Sequence, residues 1–224
     1  MSDADFELFE HAYRARPLAN FSWLEHGFGT RSFDIPQPLA TLRQIHSDIV
    51  IYADRDGCLA EGDALLSDAP GRLIGVKTAD CLPILLVDER HRSVAAVHAG
   101  WRGTVTGVVQ STLKAMTARW NTNAQDVHEA LGPGIGPCCY EVGPEVAIQF
   151  GKPFERTRID LAEANRRQLI AAGVAPERIY YLGLCTYCDA AQFHSFRRDG
   201  QNAGRLISVI GLKNTTGARL ISRP

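Results

Sequence analysis

The chain has 224 residues, of which 45% are hydrophobic and 22% are charged. This composition is typical of a soluble folded protein and excludes disordered, collagen-like and coiled-coil chains. Lys and Arg total 24 and Asp and Glu total 25, so the net charge of -1 provides no field that would attract nucleic acid or an anionic membrane. The longest apolar run, Leu82–Val87, is far shorter than the ~20 residues of a membrane span. With no signal-peptide pattern at the start, we expect a cytoplasmic protein without nucleic-acid or membrane partners.

Hydrophobic periodicity predicts alternating strands and helices along the chain. Residues 26–31 indicate a strand that leads into a glycine turn, and three nearly continuous apolar runs predict buried strands at 73–78, 82–87 and 93–98. Further strands are predicted at 127–131, 178–183, 206–212 and 218–222. We therefore expect an α/β fold: a single domain over residues 1–224, with a mixed β-sheet core flanked by helices.

Two amphipathic helices are predicted. One covers residues 104–120, because an apolar stripe recurs at helical spacing over Val105, Val108, Val109, Thr112, Leu113, Met116 and Trp120. The other begins at Asp160, where Asp-Leu-Ala-Glu resembles a capping box, and ends before Gly173.

The strands 82–87 and 93–98 carry the most informative residues. If they form a hairpin with its turn centred between Glu89 and Arg90, Cys81 lies opposite His98. Opposed residues on antiparallel strands have Cβ atoms roughly 4.5–5.5 Å apart. The pair has three interpretations: a cysteine nucleophile with its base, two of three zinc ligands that leave a fourth position open, or a buried hydrophobic thiol beside a strand-end histidine.

The segment after His98 favours a functional interpretation of this pair. Gly100, Arg102 and Gly103 lie at the predicted start of a helix, where backbone N–H groups and the helix dipole favour an anion. The Arg102 guanidinium suits a phosphate group. Metal or thiolate chemistry is thus expected beside an anion pocket.

The six cysteines do not form the pattern of a zinc ribbon. Cys185 and Cys188 make one C-x-x-C, whereas Cys138 and Cys139 are adjacent and poorly spaced for a second knuckle. We expect reduced thiols in two separate buried pairs.

Several ordered motifs between about His26 and Leu212 resemble the YfiH/laccase-domain family, whose members are also called polyphenol oxidases or purine nucleoside phosphorylase-like proteins. The resemblance is carried by Gln44-Ile-His46, Gly62-Asp-Ala64, Thr78-Ala-Asp-Cys81-Leu-Pro83, His98-Ala-Gly-Trp-Arg-Gly103, Leu131 to Gly143, Cys185-Thr186 and Ser195 to Gly200. It implies an α/β domain in which His46, Cys81 and His98 hold a zinc ion.

The resemblance also implies a zinc-dependent purine nucleoside phosphorylase that acts on adenosine, inosine, guanosine and methylthioadenosine and deaminates adenosine. Purine nucleosides and inorganic phosphate would be its partners, and we expect a monomer or weak homodimer. The expected catalytic residues are Cys81, Asp80 and Arg102, and the expected substrate and phosphate contacts are Arg43, Gln44, Gly100, Gly103 and Arg197.

Three other functions remain open from the sequence. A cysteine hydrolase or amidase that edits peptidoglycan precursors would use Cys81 as its nucleophile and His98 as its base. A copper-dependent polyphenol oxidase is disfavoured because coupled coppers need many clustered histidines, and the chain has 7 in all. A zinc-stabilised binding module would normally close the fourth ligand position.

Overall fold

The computed structural model describes residues 5–152 and 157–214. Within these residues the chain forms fifteen strands: β1 (Phe6–Phe9), β2 (Ala12–Ala15), β3 (Leu24–Gly29), β4 (Ala40–Arg43), β5 (Val50–Tyr52), β6 (Gly57–Glu61), β7 (Ala64–Ser67), β8 (Leu73–Thr78), β9 (Leu82–Asp88), β10 (Ser93–Ala99), β11 (Val127–Leu131), β12 (Glu141–Val142), β13 (Thr157–Arg158), β14 (Ile179–Tyr181) and β15 (Leu206–Leu212). The α-helices of the same residues are α1 (Arg16–Ala19), α2 (Trp101–Thr106), α3 (Val108–Trp120), α4 (Pro144–Ala147), α5 (Leu161–Ala171) and α6 (Phe196–Asp199).

Two mixed sheets form the body of the fold. The first has the order β1-β2-β3-β15-β8-β4-β6, and the second has the order β14-β11-β9-β10-β7-β5. Most neighbours are antiparallel, but β4 runs parallel to both β6 and β8, β5 to β7, and β11 to β14. The predicted α/β class with a mixed sheet core is confirmed.

The two sheets share one apolar core. Buried side chains of the first sheet, such as Phe28, Ile74 and Ile210, cluster with Leu85 and Val94 of the second. The opposite face of the second sheet packs against α3 and α5. Because both faces of β9 and β10 are covered, every residue of these strands is buried, which explains their continuous apolar sequence.

Most predicted strands agree with the structure. The predictions for 73–78, 127–131 and 206–212 coincide with β8, β11 and β15, while β9 and β10 each extend one residue beyond their prediction. The predicted strand at 178–183 is shortened to β14, and the one at 26–31 is β3. The predicted strand 218–222 lies outside the described residues.

The predicted helix 104–120 is two helices with a break at Gly107. This residue adopts φ +81, a left-handed conformation that ends α2 and begins α3, and glycine adopts it without the strain a Cβ would add. Val105, predicted to face the core, lies before this break in α2 and is exposed. Met116 and Leu113 of α3 are buried as predicted.

The second predicted helix, α5, begins where the capping signal indicated. The Asp160 side chain accepts a hydrogen bond from the Glu163 backbone N–H at 2.9 Å, which satisfies one of the free N–H groups at the helix start. The helix ends at Ala171, before the left-handed Gly173.

The hairpin of β9 and β10 has a register two residues away from the predicted one. We expected Cys81 opposite His98, whereas Ser93 pairs with Asp88 and His98 pairs with Pro83. The turn is centred one residue later because the Asp88 carboxylate accepts two backbone N–H bonds inside the loop. Side chains alternate between faces with period two, so a shift of two residues keeps Cys81 and His98 on the same face.

Among the described residues, no helix combines the length and apolar character required to cross a bilayer.

Candidate metal centre

Three side chains converge where the chain passes between the two sheets. His46 lies in the loop from β4 to β5, Cys81 lies in the link from β8 to β9, and His98 lies near the end of β10. Their ligand atoms all lie within 4.8 Å of one another. The structure therefore brings together the three residues predicted to hold a metal.

Asp63, the residue before β7, organises two of these side chains. Its buried carboxylate accepts hydrogen bonds from three successive backbone N–H groups, those of residues 45, 46 and 47, and from the Ser47 hydroxyl at 2.7 Å. These bonds hold His46 in a left-handed conformation with φ 61. The buried Asp63 carboxylate thus stabilises the strained backbone conformation of His46.

The same carboxylate orients His98. The Nδ1 atom of His98 lies 2.8 Å from Asp63 Oδ1, and because a carboxylate only accepts hydrogen bonds, Nδ1 carries the proton. Nε2 is left as the ring atom available to a metal. A histidine fixed by a carboxylate in this way is the usual arrangement around protein-bound metals.

The three side chains perturb one another's ionisation. Burial alone would raise the pKa of Cys81, but hydrogen bonds and charge from His46 and His98 outweigh it and lower the pKa to about 6. Burial alone would lower the pKa of His98, but Asp63 and Cys81 raise it to about 9. Burial would likewise raise the pKa of Asp63, yet hydrogen bonds from His98 and Ser47 lower it to about 2.

Glycine at position 100 allows the chain to approach the centre closely. A Cβ built on Gly100 would lie 2.8 Å from His46 Nδ1 and 3.0 Å from Cys81 Sγ. A Cβ on Gly103 would lie 3.1 Å from the Ser47 carbonyl oxygen. The two glycines that we predicted as phosphate contacts thus pack against the segment that carries His46.

Asp80, next to Cys81, has a left-handed backbone with φ 86 and a nearly buried side chain. One carboxylate oxygen accepts from the Thr186 hydroxyl at 2.7 Å, and the other accepts from the Arg197 backbone N–H at 2.6 Å. Asp80 therefore joins the segment that carries Cys81 to the loop before α6 and to the first turn of α6.

A cavity of about 530 Å³ opens onto the three side chains, within the usual size range of small-molecule sites. Aromatic rings and three cationic side chains contribute to its wall. The lining residues include Gln44, His46, Lys77, Asp80, Cys81, His98, Trp101, Tyr140, Phe196, Arg197 and Arg205. Gln44, predicted to contact substrate, fixes the backbone of Lys77 through hydrogen bonds of 2.7 and 2.8 Å.

Four of the predicted site residues do not line this cavity: Arg43, Gly100, Arg102 and Gly103. Arg43 points away and pairs with Glu61 at 3.0 Å on an exposed surface. The Arg102 guanidinium lies over the Trp101 ring, 4.4 Å from its centroid. Arg197 does line the cavity, and its guanidinium lies 5.4 Å from the Tyr140 ring centroid while donating to the Glu141 carbonyl.

Sequence reasoning assigned no role to four residues that the structure places at the site: Asp63, Lys77, Tyr140 and Arg205. The motif Gly62-Asp-Ala64 contained a signal for the first of them, since a carboxylate just before a buried strand needs partners. Nothing local distinguishes Arg205 from other surface arginines.

The donor set fits a metal ion with mixed nitrogen and sulfur ligands. One thiolate and two imidazoles are the donors that zinc accepts in catalytic sites. The hydrogen bond from His98 Nδ1 to Asp63 leaves His98 Nε2 free to bind a metal. Glycine at position 100 keeps open the space beside His46 and Cys81, which a Cβ would fill. We infer from this chemistry that His46, Cys81 and His98 would hold such an ion.

The chain thus combines a two-sheet α/β fold with a candidate His-Cys-His metal centre, and a known protein family matches most of its length. The family model described as multi-copper polyphenol oxidoreductase laccase matches residues 19–213. The chain belongs to this laccase-domain family, which implies a metal-dependent protein.

Solved and curated relatives agree with that assignment. The crystal structure of YlmD from Geobacillus stearothermophilus superposes with a TM-score of 0.86 at 26% identity, over 94% of this chain and 99% of that one. A protein of Deinococcus radiodurans named purine nucleoside phosphorylase is 40% identical over 96% of this chain and 85% of its own length. A prokaryotic protein named adenosine deaminase RL5 is 38% identical over 75% of this chain and 72% of its own.

Proposed function

We propose that this protein is a zinc-dependent purine nucleoside phosphorylase that also deaminates adenosine. Adenosine, inosine, guanosine and methylthioadenosine are the proposed substrates, with inorganic phosphate as co-substrate. One observation carries the proposal: the His46–Cys81–His98 group opens onto a cavity whose wall combines aromatic and cationic side chains. The name of the Deinococcus radiodurans relative supports the phosphorylase activity, and the name of RL5 supports the deaminase activity.

Zinc is the proposed metal because the histidines of this chain are scattered. All 7 lie in the described residues, and only His46 and His98 belong to a metal-binding group. His26 accepts the Ala15 N–H, and His128 contacts Tyr180 and Glu89. Coupled copper centres need more clustered imidazoles than these.

The proposed substrate contacts divide by chemistry. Lys77, Arg197 and Arg205 supply positive charge for phosphate, and Arg197 can present a planar fork of N–H donors. Trp101 and Phe196 offer ring faces to the purine base. We propose Asp80 as a positioning residue, since both of its oxygens already accept hydrogen bonds from Thr186 and Arg197.

In phosphorolysis, a phosphate oxygen forms a bond to ribose C1′ as the bond from C1′ to the purine nitrogen breaks, and the base leaves after taking up a proton. In deamination, water adds to the purine C6 and ammonia leaves. When bound, the metal supplies Lewis-acid stabilisation of developing negative charge. The cationic wall of the cavity holds the phosphate beside the nucleoside and lowers its charge repulsion with the electron-rich base.

The test uses purified protein with measured zinc content and each of the four nucleosides, with and without phosphate. We expect free base and ribose phosphate only when phosphate is present, and inosine with ammonia from adenosine in either case. His46→Ala should lose about one zinc per chain and both activities, whereas His11→Asn, at an exposed turn with φ 63, should keep them. Full activity of zinc-free wild-type protein would refute the proposal.

A second candidate function rests on the chain of contacts from Cys81 through His98 to Asp63. A thiol, an imidazole and a carboxylate in this order are the parts of a cysteine hydrolase or amidase. The lowered pKa of Cys81 and the raised pKa of His98 suit such a pair.

Alkylation separates the two candidates. A zinc-bound thiolate should react slowly with iodoacetamide until a chelator removes the metal, whereas a nucleophilic Cys81 should react rapidly in zinc-loaded protein. A substrate adduct trapped on Cys81 would favour the hydrolase.

A further inference from the structure

Four cysteines that do not line the cavity form a second cluster, separate from the centre described above. Cys138 and Cys139 lie in the loop that follows β11, and Cys185 and Cys188 lie in the loop that follows β14. Their sulfur atoms all lie within 4.8 Å of one another. This differs from the two separate buried pairs expected from the sequence, and Cys138 and Cys188 are exposed.

The spacing of the sulfur atoms suits a shared metal ion. The Cys139 and Cys188 sulfurs are 3.4 Å apart, and those of Cys138 and Cys188 are 3.7 Å apart. Four sulfurs around zinc at about 2.3 Å in a tetrahedron lie about 3.8 Å from one another. The thiols are thus already close to the arrangement that a tetrahedral ion requires.

The backbone around the cluster holds it together without crowding it. The Gly136 N–H donates to the Cys185 sulfur at 3.2 Å, and such a bond stabilises a thiolate. A Cβ on Gly136 would lie 3.2 Å from the Cys138 sulfur. The two loops are also joined by backbone, since the Thr186 N–H donates to the Gly134 carbonyl at 3.0 Å.

We propose that Cys138, Cys139, Cys185 and Cys188 form a second metal site that binds zinc. Four thiolates complete a tetrahedral coordination shell and leave no open position, which is typical of a structural ion. This site is independent of the proposed nucleoside chemistry and uses none of its ligands.

The position of the cluster suggests what the ion would stabilise. Tyr140, which directly follows Cys139, lines the cavity. Thr186, which directly follows Cys185, donates to Asp80 at 2.7 Å. A zinc ion here would fix both loops and so hold one wall of the cavity in place.

The experiment measures zinc per chain in wild-type protein and in Cys188→Ser, purified under reducing conditions. Cys58→Ser is the matched control, because Cys58 is an exposed free thiol outside the cluster, on β6 at the edge of the first sheet. We expect Cys188→Ser to lose about one zinc per chain and Cys58→Ser to lose none. An unchanged zinc content in Cys188→Ser would overturn the proposal, whatever the occupancy of the His46 site.

A measurement on protein that keeps all four cysteines covers the case in which Cys188→Ser does not fold. In His46→Ala protein loaded with cobalt, we expect the intense sulfur-to-metal absorption of a tetrathiolate site. Zinc should also protect the exposed Cys138 and Cys188 from alkylation, and a chelator should remove that protection. Alkylation at the same rate with and without zinc, or disulfides among these four cysteines that persist in the reduced preparation, would overturn it.

Discussion

The buried Asp63 carboxylate provides the sharpest test of how the metal centre is built. The substitution Asp63→Asn keeps the size of the side chain but leaves one accepting oxygen where there were two. In the wild type, Oδ1 accepts from His46 N and His98 Nδ1, and Oδ2 accepts from the N–H groups of residues 45 and 47 and from the Ser47 hydroxyl. Whichever way the amide turns, its NH₂ group faces donors.

The size of the effect follows from these contacts. At least two hydrogen bonds to a buried charge are lost, each worth about 1.5–3 kcal/mol, so the free energy of unfolding should fall by about 3–6 kcal/mol. Loss of the carboxylate that fixes His98 should weaken zinc binding by about 10- to 100-fold. The second effect is expected even in the fraction of protein that remains folded.

Both quantities can be measured separately. Urea unfolding gives the change in stability, and competition with a chromophoric chelator gives zinc affinity. The substitution is made in a Cys188→Ser background, so that the measured zinc affinity is that of the His46 site. A folded Asp63→Asn protein with wild-type zinc affinity would refute the reasoning.

Asp88→Asn is the matched control. This carboxylate is also buried and accepts from the Arg90 and His91 backbone N–H groups and contacts His91 Nδ1 at 2.8 Å, but it lies at the hairpin turn. We expect it to lower stability and leave zinc affinity unchanged. An equal loss of zinc affinity in both variants would show that general destabilisation is the cause.

Three further predictions concern other parts of the molecule. Arg197→Ala should raise the KM for phosphate by about 30- to 1000-fold in steady-state assays while Arg102→Ala changes it little, because only the former lines the cavity; the reverse order would contradict the assignment. Gly100→Ala should lower zinc affinity by about 5- to 100-fold in the chelator assay, since its Cβ would lie 2.8 Å from His46 Nδ1; wild-type affinity would mean that the loop adjusts. Burial lowers the pKa of His26 from 6.5 to about 3, so the unfolded chain binds a proton below pH 6.5 that the native state does not. As the pH is lowered from about 6 to about 4, the free energy of unfolding should therefore fall more steeply in the wild type than in His26→Gln, by about 1.4 kcal/mol per pH unit. Parallel plots of unfolding free energy against pH for the two proteins would contradict this.

Sequence patterns over a few neighbouring residues were sufficient to predict the central strands and two residues of the site. Continuous apolar runs identified β9 and β10 because strands covered on both faces need few polar residues, and they identified β8, in which Lys77 is exposed. The same period of two placed Cys81 and His98 on one face even though the register was wrong by two residues. His46 could be added only through the family resemblance, since its distance along the chain carries no periodic signal.

Features that depend on tertiary packing escaped prediction. Gly107 interrupts a stripe that reads as one helix, and whether a glycine bends or continues a helix is decided by what packs around it. The four-cysteine cluster joins loops separated by about fifty residues, and neither C-x-x-C nor Cys-Cys alone implies the other. Arg102 looked like an anion ligand at a helix start, but its side chain lies on Trp101 instead.

Two of the three residues that would hold the metal come from segments that join one sheet to the other. His46 lies between β4 and β5, and Cys81 lies between β8 and β9. The affinity for an ion held there should depend on the relative position of the two sheets, because a packed core transmits small displacements over its length. A distant substitution such as Leu85→Ala, in the core between the sheets, should therefore be detectable as altered metal affinity before any change appears in secondary structure.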